Sequence, residues 1–246
     1  MSNFKVPNDW GKDSLTEFID AANQNTYSIS VHYKNWFNTF RRIDSLFLKF
    51  TQNSINLPNF YEPFFLIRAH SSYRAAIRLA TSGQISEAFS LLRGCLEYAL
   101  YGFYFSKHPA EIQTWINRDE NEAGKKKARK NLATGTMIYH LTQNDKFIGE
   151  IVRHLYEITI DVGAHPNRKT ITLAMQRTDT EDSVIYHQAQ LNTENLQMVF
   201  CLKSTVQVGI CLLKIFRLVF PERFDILGIS DEVEKISRSQ IDGLLL

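Results

Sequence analysis

Residues 60–107, FYEPFFLIRAHSSYRAAIRLATSGQISEAFSLLRGCLEYALYGFYFSK, decide the fold. Apolar residues recur at three- and four-residue steps on both sides of Ser82–Gly83, the mark of helices with buried faces. Glycine accepts the left-handed conformation that commonly follows a helix end. The spacing predicts one arm over 60–81 and a second over 84–106, stopped by Lys107–His108–Pro109. A connection this short packs the two arms antiparallel, side by side.

The flanks read as more helix. A short amphipathic helix is expected from Asp13 to about Gln24, and a longer one over 28–52, where Trp36, Phe37, Phe40, Ile43, Phe47 and Phe50 share a face. Residues 110–143 are polar and uneven, as for two short helices. A fourth major helix spans about Asp145 to Asp161, with Gly163 as its end cap and Pro166 barring continuation. TITLAM (170–175) and SVIYHQAQ (183–190) alternate around the polar turn RTDTED, which predicts a β-hairpin. A long helix over 193–219 closes at Pro221, and a short one occupies about 230–240. The expectation is one all-α domain over 1–246, a helical bundle around the hairpin. Helices within 1–55 pack on the body, and a small β-hairpin is inserted at 168–191.

Composition bounds the function. The 246 residues are 44% hydrophobic and 22% charged, with a net charge of +2, so nothing drives the whole chain toward nucleic acid or anionic membrane. Cys95, Cys201 and Cys211 lie in apolar stretches without a CxxC pair, which fits buried thiols in a reducing, cytoplasmic compartment. MSNFKVPNDWGKDS has no basic segment followed by an apolar core, so no secretory signal is expected. The segment 196–220 is interrupted by Lys203, Gln207, Lys214 and Arg217, which reads as a core helix and not a membrane span. Apolar helices of this length often pair across a two-fold axis, so a homo-oligomer, in particular a dimer, is expected.

Four groups of polar residues are candidates for function. Arg93 and Glu97 are the only charges between Glu87 and Lys107. At i and i+4 they can pair; buried, they are either a structural ion pair or the lining of a polar pocket. His70, Arg74 and Arg78 form a stripe on the first arm. It is a solvated face, an anion site, or the partner of Glu97. Arg153, Glu157 and Asp161 form a line that ends near His165 and Arg168. There, Asp161 and His165 either do acid–base work or finish a hydrogen-bonded helix terminus. The run Lys125, Lys126, Lys127, Arg129 and Lys130 is a phosphate or nucleic-acid patch, or a solvated helix. No Gly-rich phosphate loop, G-x-S-x-G elbow or paired Glu-x-x-His is present, so no cofactor or metal is expected.

LLRGCLEYALY, WINRDE, LYEITIDVGAHPN and FPERF, in that order, resemble a family of bacterial proteins of unassigned function over about residues 60–228. More distantly the hairpin, with its central arginine and glutamate, resembles the HEPN-type helical bundles, many of which serve in toxin and antiviral defence. That resemblance implies a helical binding or interaction protein, associated with stress or defence; the charges kept in an apolar helix add the expectation of a polar pocket, lined by Arg93, Glu97 and the 161–168 loop, on which the strips Arg74–Arg78 and Arg153–Glu157–Asp161–His165–Arg168 converge. The resemblance also implies the alternative of an RNA-binding or RNA-cleaving enzyme. A structural, oligomerising protein without catalytic activity is the third reading. Catalytic HEPN members use an Arg-x4–6-His motif, and this chain departs from it. One residue separates Arg68 from His70, Arg153 and His154 are adjacent, and eleven residues separate Arg153 from His165.

Overall fold

A computed structural model describes residues 5–55, 57, 60–164, 175–180, 183–188, 190–193 and 195–242. The predicted hairpin is present: α3 runs Glu62–Ser82 and α4 Ile85–Lys107. Gly83 takes φ +92°, and the N–H groups of Gly83 and Gln84 donate back to Ala80 and Leu79 carbonyls at 3.3 and 3.0 Å. This satisfies carbonyls that the helix end would otherwise leave unpaired. The turn is also a docking point. Asn192 N–H donates to the Gly83 carbonyl at 2.9 Å, and the Asn25 amide donates to the Ser82 carbonyl at 3.0 Å. A Cβ on Gly83 would collide with the Asn192 backbone.

Around this hairpin the fold is an all-α bundle. Asp13 caps α1 (Ser14–His32) by accepting the N–H groups of Leu15 and Thr16. The helix outruns the expected end at Gln24, and α2 (Lys34–Gln52) starts later than predicted, at a break on Tyr33. The apolar stripe of α2 is buried as predicted, through Phe40, Ile43, Phe47 and Phe50. The polar middle holds more pieces than expected: α5 (Glu111–Ile116), a 3-10 turn, α6 (Glu122–Asn131) and α7 (Thr134–Asn144). The fourth major helix is α8 (Lys146–Thr159), continued by a π-type turn over Ile160–Ala164.

The long helix α9 (Leu196–Val219) begins later than predicted, because Asn195 and not Asn192 or Thr193 accepts the capping N–H, from Met198. Alone among the described helices it is long and apolar enough to cross a membrane, yet 72% of its most apolar window is buried inside the bundle. It packs as a core helix of the bundle, against α3 and α4. Pro221 does not simply close it. Proline is tolerated in the first turn of a helix, and here it opens a new one, α10 (Pro221–Ile226), before α11 (Ile229–Asp242).

The β-hairpin exists, but displaced. β1 is Met175–Asp179 and β2 Val184–Gln188, antiparallel, with Asp179 opposite Val184. Residues predicted as turn, 177–179, belong to the first strand, and 170–174 lie outside the described residues. Met175, Val184, Ile185 and Tyr186 are all exposed. With these apolar side chains exposed, alternation does not set the register; the turn does, where Thr180 N–H donates to the Ser183 carbonyl at 2.8 Å.

Two substitutions test this frame by urea unfolding. Gly83→Ala is expected to lower stability by about 2–4 kcal/mol, since it combines a left-handed conformation with a backbone collision. Tyr73→Phe is expected to be neutral or stabilising. Tyr73 is fully buried and its hydroxyl is the sole buried side-chain polar atom without a partner among the described residues, so its removal deletes a desolvation cost of about 1–3 kcal/mol.

Candidate functional site

Arg93 and Glu97 form the predicted pair, with Arg93 Nε donating to Glu97 Oε1 at 3.0 Å. A third residue completes it. The Tyr156 hydroxyl on α8 donates to Glu97 Oε1 at 2.8 Å and accepts from Arg93 Nε at 3.2 Å. The guanidinium also lies 5.4 Å from the centre of the Tyr156 ring, within cation–π range. Burial lifts the Tyr156 phenol above its ordinary value, so it stays a neutral donor. The sequence signal for Tyr156 is only its place beside Glu157. A buried tyrosine on an amphipathic helix usually needs a polar partner for its hydroxyl.

The expectation of fully buried charges is corrected. The Arg93 and Glu97 side chains are 27% and 34% exposed. They sit where α4 meets α8, so water shares their solvation and the desolvation cost of a sealed pair is largely avoided. Next to them the helix surface is bare: a Cβ on Gly94 would meet nothing within 4 Å.

The polar strips meet only in part. His70, Arg74 and Arg78 turn away from Glu97, toward the N-terminal helices. Asp44 on α2 takes His70 Nε2 at 2.6 Å and Arg74 through Nε at 2.6 Å and Nη2 at 2.9 Å. Phe47 stacks on the imidazole at 4.8 Å. Arg78 Nη2 reaches Asn23 at 3.4 Å. The strip is therefore a tie between helices, not the partner of Glu97. The α8 strip does approach α4, through Tyr156. Arg153 and Glu157 are exposed, and Arg153 Nη2 reaches Thr142 on α7 at 3.4 Å. Asp161 lies exposed in the π-type turn, while His165 and Arg168 fall outside the described residues.

Gly163 is not a left-handed end cap. Its φ is not positive, and a Cβ there would collide with the Ser86 carbonyl and approach Phe89 Cβ to 2.7 Å. Ser90 Oγ donates to the Gly163 carbonyl at 2.8 Å. The glycine lets the turn after α8 lie directly on α4.

The basic run forms helix α6, with Lys126, Lys127, Arg129 and Lys130 exposed and Lys125 held by Glu122 at 2.8 Å. The three cysteines are buried, and burial pushes the Cys201 and Cys211 thiols up to about 12, which leaves them unreactive at neutral pH. Among the described residues no group of three or more His, Cys, Asp and Glu is arranged to hold a metal. Sequence reading missed a pair of histidines: His108 Nε2 lies 3.3 Å from His140 Nδ1, beside the Tyr104 ring. No protein-family model, curated protein or solved structure matches the chain.

The Asp44 cluster makes stability depend on pH. Burial holds the His70 imidazole below its ordinary value despite Asp44, because Arg74 already neutralises that carboxylate. Burial works to raise Asp44, but hydrogen bonds from Arg74 and His70 hold it below the usual carboxylate range. A depressed folded pKa means that, as pH falls, the unfolded chain takes up the proton first. The stabilisation is thus full above pH 6.5 for His70 and is lost below it. Unfolding free energy should fall as the pH drops through and below 6.5, and His70→Gln should flatten that slope.

Proposed function

We propose that this is a helical binding or interaction protein of HEPN-like type, associated with stress or defence, whose recognition site is the polar edge of α4 against α8. One observation carries the reading: Arg93, Glu97 and Tyr156 bond to one another at a seam open to solvent, not sealed in the core. Partial exposure leaves these polar groups within reach of a molecule arriving from solvent. Gly94 supports the same conclusion. A glycine inside a helix costs about 0.8–1.0 kcal/mol relative to alanine, and here neither backbone conformation nor packing requires it. It leaves open surface beside the triad, where a polar ligand or partner can approach.

A second reading, RNA binding, has one observation in its favour. Four basic side chains of α6 are exposed in succession around the buried Ala128. With no aromatic residue among them for base stacking, such binding would be electrostatic and steeply salt-dependent.

Two variants test the primary reading. Arg93→Met with Glu97→Leu replaces the pair by apolar residues of similar size, which is expected to preserve helicity and leave stability equal or higher. Gly94→Leu fills the open surface without touching the triad. A thermal-shift panel of nucleotides, inorganic phosphate and small carboxylates should find a compound that stabilises the wild type by mass action, with the shift lost in both variants. A panel without effect on the wild type, or shifts retained in both variants, refutes the α4–α8 site. Salt-sensitive binding of bulk RNA, lost when Lys126, Lys127, Arg129 and Lys130 are neutralised, would establish the α6 reading in its place.

A further inference from the structure

The other flank of α8 carries a feature the polar site does not use. Between α8 and α9 runs a surface groove of about 460 Å³. Its α8 wall presents Phe147, Ile151 and Ile158, spaced along one helix face, and its α9 wall presents Phe200. Phe147 is 65% exposed, and Leu196, one turn before Phe200, is 85% exposed. Large apolar side chains gathered on one surface mark a place where something docks.

The charges on the groove identify the occupant. Lys203 on α9 is half-buried, and among the described residues no carboxylate pairs with it. Glu150 stands on the facing wall of α8, with only a loose contact to Lys146 at 3.9 Å. A groove suited to a foreign basic or acidic helix would carry one sign of charge along its walls. This one carries an acid on one wall and a base on the other, so it is complementary to itself.

We infer that the α8–α9 groove is the face on which two copies of this chain associate about a two-fold axis. In an isologous contact each residue pair occurs twice. A copy turned over the groove brings its Glu150 to the half-buried Lys203, and its Lys203 to Glu150. The same rotation sets the exposed phenylalanines of one copy against the apolar wall of the other. This face is separate from Tyr156 and Gly94, so it stands or falls independently of the α4–α8 reading.

Sedimentation velocity and light scattering from about 1 to about 100 µM full-length protein provide the test. The wild type should be a dimer at the upper end. Phe147→Glu should give a monomer with an unchanged circular dichroism spectrum. Glu150→Lys and Lys203→Glu should each weaken the dimer about tenfold or more, because like charges then face each other in both copies of the contact. Glu150→Lys combined with Lys203→Glu should restore association to near the wild-type level, since the swapped charges are again complementary. If Phe147→Glu disturbs the fold, the charge series decides alone. A wild type that stays monomeric throughout overturns the inference and leaves the groove to a foreign helix. A dimer indifferent to both charge reversals overturns it as well, placing the association on another face.

Discussion

Everything in this fold leans on the antiparallel contact of α3 with α4. Close-packed helices have to meet along their full length, and the two arms do so because the turn between them is as short as a helix end permits. Gly83 makes that possible twice over. Its left-handed conformation reverses the chain, and its missing side chain admits the Asn192 backbone that leads into α9. One residue thus aligns three of the central helices, α3, α4 and α9. The α9 helix then seals the apolar flank of the hairpin with Met198, Leu202, Val206, Leu213 and Phe216, all buried. Partners outside the hairpin attach to what remains, with α2 and α1 against α3, and α7 and α8 against α4.

Much of this frame was legible in the sequence, because burial imposes a period. The two arms, the phenylalanine stripe of α2 and the body of α9 each bury one face over several turns, and a stripe of that length cannot be mistaken for a strand. Where burial stops, legibility stops with it. Residues 28–32 at the end of α1, SISVH, were read as the start of the second helix, because with only Ile29 buried there is no apolar stripe to mark the break at Tyr33. The β-hairpin exposes Met175, Val184, Ile185 and Tyr186, so no buried stripe marks its bounds, and the first strand lies further along the chain than expected. Pro221 was read as a terminator because proline excludes the helix interior, yet the same rigid ring is preorganised for a first turn.

The candidate site shows the same division more sharply. Spacing correctly placed Arg93 and Glu97 on one helix face, but spacing along a helix says nothing about which neighbour that face meets. The stripe of His70, Arg74 and Arg78 follows the same four-residue step and points elsewhere, because Asp44, from a segment read only for its apolar face, takes His70 and Arg74, and Asn23 takes Arg78. Tyr156 was overlooked since an aromatic residue at a buried helical position is normally core. Its hydroxyl makes it the link between helices. A buried polar group is legible only when its partner is known, and partners are a property of the assembled bundle. Tyr73 makes the converse point: its hydroxyl is equally buried and the bundle supplies no partner among the described residues.

Helix α8 emerges as the element with two duties. Its Tyr156 ties it to the charged pair of α4, and its opposite flank forms a wall of the groove with α9. Val152 and Leu155 hold it against the core between those surfaces. Such a helix moves as a rigid rod if it moves at all, because its backbone bonds are satisfied internally. A shift along its axis would have to slide Gly163 across the α4 backbone, where no Cβ-sized gap exists. Gly149, packed on Thr142 of α7 with contacts that a Cβ would violate, resists at the other end. The two glycines let α8 sit closer to α7 and α4 than side chains would allow, and close-packed interiors transmit strain poorly tolerated by any single contact. The polar triad and the groove therefore lie on opposite flanks of one closely packed helix and share none of their side chains, which makes the two surfaces separately assignable.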